Sequence, residues 1–230
     1  MPKPQPSKFF LLFLVAVAVF GLALVPVLLF QPNLQGYMTP LRRPIVASSY
    51  TVICVLGIVA VFYPGKCRLM FQKPNAANDL SKPASNEMSL RGHHPDCEKF
   101  SANRITIGNS VFCASCSGLL IGAIAALVGI AAFSWGLLDF AVENLWGLAL
   151  GEALMLVGLA QIKMGGYLKM AVNALFVVGS FVCLVMADLF GQSLPVDLFV
   201  LGLIVFLLWL RILLSEWNND RICLKCGHCD

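Results

Sequence analysis

The side chains best equipped for chemistry are nine cysteines and three histidines, and six of the cysteines with all three histidines fall in two short groups. The first holds His93, His94 and Cys97, then, after fifteen residues, Cys113 and Cys116. With His94 as ligand it reads His-x2-Cys followed by Cys-x2-Cys, the spacing of a tetrahedral zinc site in which two short turns each present a ligand pair. His93 is an alternative ligand, or an outer donor to the metal-bound groups. Three thiolates and one imidazole close the tetrahedron and leave no position for a catalytic water, so a zinc held this way is structural or regulatory. The same Cys113/Cys116 pair has a second chemistry. Cys116 leads straight into Ser117, Gly118 and an apolar run, and thiols at a helix N-terminus are disposed to thiolate formation and disulfide exchange.

The second group is Cys223, Cys226, His228 and Cys229 at the C-terminal end. Three cysteines at x2 intervals resemble part of an iron–sulfur binding run, but the fourth cysteine and flanking proline are absent. The group is a candidate for an iron–sulfur cluster, for a second zinc site with His228, for donors to the first group, or for a flexible tail with adventitious metal affinity. Cys54 and Cys183 sit inside apolar runs and read as packing residues. Cys67 is a lone thiol just after one of those runs.

The elements that must position these groups are membrane helices. Apolar residues make up 59% of the chain, charged residues only 12%, and mean hydropathy is +0.83. An ordinary soluble domain is roughly one quarter charged, and this chain has too little polar surface to cover a core in water. Six stretches meet the need for about 20 apolar residues to cross a bilayer. They run from Phe9 to Phe30, Ile45 to Tyr63, Ser117 to Trp135, Val142 to Gln161, Lys169 to Phe190 and Val196 to Trp217. The first is too long for the apolar region of a signal peptide and lacks a small-residue cleavage pattern, so it is read as a retained helix, with Pro26 as a candidate kink. The expected fold is an all-α polytopic membrane helix bundle of about six spans. It divides into two N-terminal helices (1–63), a linker and Cys/His loop (64–112), a four-helix region (113–217) and a Cys-rich tail (218–230).

Fourteen of the sixteen basic residues fall on one side of this arrangement, and only Arg42 and Arg43 fall on the other. The positive-inside rule therefore predicts a cell-membrane protein with both termini cytoplasmic. Both cysteine groups then lie in a reducing compartment, where metal coordination is favoured over a disulfide. The external loops carry Asp139, Glu143, Asp188 and Asp197.

Within the spans, Glu152 is costly at mid-bilayer and should face the interior, either partnered or protonated. Arg211, inside the cytoplasmic end of the last span, is a candidate partner or a snorkelling side chain, and Asn173 is another candidate partner. The functional reading of Glu152 is a proton or ion site; the plainer one is a neutral acid that locks packing. Gly118 with Gly122, and Gly147 with Gly151, are small-residue pairs that permit close helix approach.

The run from Gly92 through Cys97, followed by Phe112, Cys113, Ala114, Ser115, Cys116, Ser117 and Gly118, resembles an uncharacterised family of small prokaryotic multi-spanning membrane proteins. Members place His and Cys upstream of Cys-x-x-Cys-[Ser/Thr]-Gly at the mouth of a helix, often with Arg between the cysteines, where this chain has Ala114 and Ser115. The resemblance covers about Gly92 to Ser180. It implies a membrane protein with a Cys/His site and brings no reaction or substrate. From the residues, the leading expectation is an accessory or scaffold protein with a cytoplasmic zinc, in contact with the bilayer and with other membrane subunits, rather than an enzyme. A thiol–disulfide oxidoreductase using Cys113 and Cys116 is the second expectation, and transport through Glu152 the third. Nucleic acid is not an expected partner, because the basic residues follow topology and lipid headgroups.

Overall fold

The computed structural model describes residues 6–30, 41–62, 90–91, 94–95, 98–107, 110–138 and 145–226. Six helices dominate: α1 (Lys8–Leu29), α2 (Arg42–Phe62), α3 (Ala114–Ser134), α4 (Trp146–Leu159), α5 (Gly166–Gly191) and α6 (Leu194–Cys226). All six are long and apolar enough to cross a membrane, α4 with the help of the 3-10 turn Ala160–Lys163 that extends it. The chain is an all-α multi-pass bundle. Large apolar side chains cover its outer surface, Phe9, Leu12, Phe13 and Phe20 on α1 and Val128 on α3 among them, a surface that suits lipid and not water.

α5 is the axis of the bundle, with 67% of its most apolar stretch buried against 28% for α1 and 22% for α2. Glycines let α3 and α4 press against it. A side chain at Gly118 would run into the Met170 carbonyl, and one at Gly122 would come within 2.7 Å of the Ala174 carbonyl oxygen. At Gly151 the Cys183 amide nitrogen stands only 2.8 Å from where a Cβ would be. Both predicted small-residue pairs therefore lie on contact faces.

The same contacts fix the direction of each helix. Gly118 of α3 meets the start of α5 and Gly129 meets Phe181 further along, so these two helices run parallel. Gly147 of α4 meets Met186 and Gly158 meets Phe176, so α4 is antiparallel to α5. Gly191, at the end of α5, meets Leu29, at the end of α1. The helices thus alternate up and down, and the start of α1 and the end of α6 share one end of the bundle. That end also carries the strand pair that leads into α3, and it is called the cap end below.

Local signals account for several boundaries. Ser7 caps α1, its hydroxyl accepting from the Phe10 amide at 3.2 Å. Pro26 sits inside α1 without ending it. α5 stops where Gln192 takes a left-handed conformation (φ 44°) and its amide donates to the Asp188 carbonyl. Only Gln192 and Ser193 separate α5 from α6, and Pro195 stands in the first turn of α6, where its missing N–H costs nothing.

This tight turn holds Asp188 and Asp197 together at the far end, and the start of α2 supplies the countercharge. Arg42 pairs with Asp188 (Nη2–Oδ1 3.2 Å) and Asp197 (Nε–Oδ2 3.8 Å), and it donates to the Asp188 carbonyl at 3.0 Å. Arg43 pairs with Asp188 at 3.8 Å and lies over the Phe133 ring of α3 at 5.3 Å. Both carboxylates are fully buried. Two residues expected to mark an external loop are thus a buried ionic clasp joining α2, α3, α5 and α6.

One further boundary differs from expectation. α6 does not end near Trp217 but continues to Cys226, so the backbone of much of the Cys-rich tail is helical. The polar loop is not simply irregular. It contains the antiparallel pairs β1 (Leu90–Arg91) with β2 (His94–Pro95), and β3 (Arg104–Ile107) with β4 (Ser110–Cys113). The alternation Arg104, Ile105, Thr106, Ile107 and the two residues Gly108 and Asn109 before β4 are a hairpin signal.

Candidate functional site

The β3–β4 pair delivers the thiols. Arg104 faces Cys113 across the ladder, and β4 runs directly into α3 with Cys113 as the capping residue, in extended conformation (φ −75°, ψ 119°). Helix starts favour Ser, Thr, Asp or Asn, whose side chains accept from the first-turn amides. Here a cysteine holds the position and its side chain makes no capping hydrogen bond. Cys113 is buried and Cys116, in the first turn of α3, is half-buried. Neither is in a disulfide.

Beside them lie two buried cations, Lys169 and Arg211, each 3% exposed. Lys169 Nζ donates to Asn103 Oδ1 at 2.6 Å, and Asn103 Nδ2 donates to Asn219 Oδ1 at 3.3 Å, so the cap is tied to α5 and to the extended part of α6. Tyr167 adds a second tie, its hydroxyl donating to the Thr106 carbonyl at 2.9 Å. Arg211 Nε donates to Asn173 Oδ1 at 2.8 Å. Its Nη2 donates to Gln161 Oε1 at 3.0 Å and also reaches Asn173 Oδ1. Asn173 is held in turn by donating to the Lys169 carbonyl at 2.6 Å, and the guanidinium lies 6.0 Å from the Phe176 ring centre. Every one of these acceptors is a neutral amide or carbonyl oxygen. Among the described residues no carboxylate stands within 4 Å of either cation, and the nearby groups of opposite charge potential are the sulfurs of Cys113 and Cys116.

These groups form the polar end of a cavity of about 620 Å3 between α2, α3, α5 and α6. Cys113, Cys116, Asn103, Lys169, Arg211 and Ser215 line its cap end, with Glu216 and Asp220 also on its wall. Towards the bundle centre it is apolar as far as Tyr50 and Cys54.

Of the predicted site residues, the structure brings Cys113, Cys116, Asn173 and Arg211 together. The proposed contact of Arg211 with Glu152 does not form: Asn173 and Gln161 occupy the guanidinium instead, and Arg211 is buried rather than snorkelling. Glu152 stays on α4, half-buried, with Oε1 shielded and accepting no hydrogen bond, and it does not line the cavity. His94 lies in β2. His93, Cys97, His228 and Cys229, and also Cys67, lie outside the described residues; Cys223 and Cys226 fall on the last turns of α6. Among the described residues no group of three metal-ligating side chains assembles. Cys54 and Cys183 are buried in the core, as packing residues.

Sequence reasoning missed Lys169, Asn103 and Gln161. The signal was present, since Lys169 and Gln161 are polar residues at the edges of apolar runs, where a side chain must find a protein partner or water. No family model, curated protein or solved structure matches the chain.

Proposed function

We propose that the chain is an accessory or scaffold protein of the cell membrane whose cap is organised by a structural zinc on the cytoplasmic side. His94, Cys97, Cys113 and Cys116 are its ligands. One observation carries this reading: a strand hands Cys113 directly to a helix start with Cys116 in the first turn, so a metal there would pin the cap to the bundle. The donor set fits zinc, because Cys113 and Cys116 stand at a helix start beside two buried cations, where negative charge on sulfur is stabilised. A cap of this size has too little core to hold itself and gains from such a staple. The fourteen basic residues that the order of spans in the sequence assigns to the side of the two termini support the cytoplasmic orientation.

Metal analysis of the detergent-purified protein tests the reading. One zinc per chain is expected, without a visible absorption band, and Cys113→Ser/Cys116→Ser should remove it and loosen the cap together. Metal retained in that double variant would refute the proposal, and a coloured protein would point to an iron–sulfur cluster on the Cys223–Cys229 group.

A second reading, thiol–disulfide exchange, is favoured by the opening of Cys116 onto the cavity beside Arg211. A partner disulfide would accept two electrons and two protons as Cys113 and Cys116 join. Labelling of Cys116 in intact cells by a membrane-impermeant thiol reagent would reverse the orientation and promote this reading.

A further inference from the structure

The cavity at the cap end has features that neither zinc binding nor thiol exchange requires. Its wall opens sideways. Leu56 on α2 and Val205 and Ile212 on α6 all line it, and all are among the exposed large apolar side chains of the bundle, 62%, 50% and 52% exposed. Gly57, between them on the wall, has no atom within 4 Å of where a Cβ would stand. The mouth therefore faces the bilayer between α2 and α6.

The polar end lies at headgroup depth. Arg211 is about 25 Å along α6 from Leu194 at ~1.5 Å per residue, close to the boundary of a hydrocarbon core about 30 Å thick. Two buried cations meet only neutral acceptors there. A buried charge needs a counterion, and two adjacent cations need one more than either does alone. The sulfurs do not cancel them when protonated. Glu216 and Asp220 also line the cavity, yet neither carboxylate stands within 4 Å of Lys169 or Arg211, so the ammonium and guanidinium groups keep open room for a directly contacting anion.

We propose that this cavity is a binding site for an anionic lipid of the surrounding bilayer. The headgroup phosphate sits against Lys169 and Arg211, and an acyl chain lies along Ile53, Leu119, Ala123, Ile204 and Leu208. The cavity's size is within the ~300–1,000 Å3 of ligand pockets, and its division into one polar end that holds two buried cations and an apolar length matches an amphiphile rather than a free ion. The lateral mouth supplies the route of entry.

The test is native mass spectrometry of the full-length protein, purified in mild detergent and loaded from nanodiscs of phosphatidylglycerol or phosphatidylcholine. The wild type should retain phosphatidylglycerol over phosphatidylcholine by at least about tenfold. Lys169→Gln should erase that preference. Gly57→Trp, which fills the mouth without touching the cations or the packed faces, should lower retention of the anionic lipid by a similar factor while the protein stays folded. A third arm adds inorganic phosphate in place of lipid. Equal retention of the two lipids by wild type, or unchanged retention in both variants, would overturn the proposal as ordinary annular lipid. Phosphate binding that survives Gly57→Trp together with absent lipid retention would overturn it in favour of a free-anion site.

Discussion

The two ends of the bundle both bury arginine, and they neutralise it in opposite ways. At the far end Arg42 and Arg43 face Asp188 and Asp197, two charges of each sign, and the carboxylates bridge three helices to a fourth. At the cap end Lys169 and Arg211 face Asn103, Asn173 and Gln161, which orient the cations but do not cancel them. A cluster with both signs present finds its countercharges within the chain and is suited to holding helices in register. An unbalanced one has capacity left for an anion, whether a thiolate, a metal–thiolate complex or a lipid phosphate. The contrast assigns the far end to architecture and the cap end to binding.

The largest test of that contrast is Arg42→Met. It strands Asp197 and leaves Asp188 the longer contact to Arg43, and breaking a buried pair from one side costs about 3–5 kcal/mol. Thermal unfolding in detergent should show a drop of that size. The triple change Arg42→Met/Asp188→Asn/Asp197→Asn should recover most of the loss, because it removes both signs together. If the triple variant is no better than the single one, the clasp is not chiefly electrostatic.

Next in size is Gly118→Leu, which challenges the close approach of α3 to α5 that brings the thiols beside Lys169. The new side chain meets the Met170 carbonyl, a backbone atom that cannot turn away. An overpacking cost of about 1–3 kcal/mol follows. The displacement of α3 should also lower zinc content, measured on the same sample. Full stability and full zinc in this variant would show that the thiols do not depend on that approach.

The helices, their number and their alternation were legible in the sequence because a bilayer demands long apolar runs and leaves few other solutions. The cysteine pair at the start of α3 was legible because spacing and position lie close together in the chain. The two ends were not, for a physical reason. Arg42 is 146 residues from Asp188, and each of Arg42, Asp188 and Asp197 reads alone as a loop charge; the two-residue turn at Gln192 and Ser193 brings the acids together. For Arg211 the sequence offers a contact with Glu152 or snorkelling, and it offers Asn173 as a polar partner within the spans; what it does not show is that Asn173 with Gln161, two amides, solvates the guanidinium. The 3-10 turn Ala160–Lys163 that carries Gln161 into the bundle has no strong local signal.

Arg211→Gln probes the unbalanced end and should cost less than Arg42→Met, by detergent unfolding, although both residues are buried arginines. The lost hydrogen bonds of a charged donor are offset by relief of an uncompensated charge, and Asn173 keeps its donation to the Lys169 carbonyl. A net cost of about 1 kcal/mol is expected. A loss as large as that of Arg42→Met would mean that the cap end is also an architectural clasp and would remove the basis of the comparison.

Between the two ends α2 is held to α5 by neutral groups. Tyr50 is 1% exposed, and its hydroxyl lies 2.9 Å from Ser180 Oγ and donates to the Val177 carbonyl at 3.1 Å; Ser180 Oγ reaches the same carbonyl at 2.7 Å. Tyr50→Phe removes one hydroxyl from this set and orphans nothing, since Ser180 still satisfies the carbonyl. The cost should be about 0.5–1 kcal/mol, the smallest of the series. Ser180→Ala should cost a similar amount, and the double variant less than the sum, because the two hydroxyls share one acceptor. The aromatic ring, its packing against Phe181 and the cavity wall are kept, so retention of an anionic lipid should be unchanged. A fall in retention with Tyr50→Phe would place a polar contact of the ligand at mid-bilayer and shift the binding end of the comparison from the cap towards the centre.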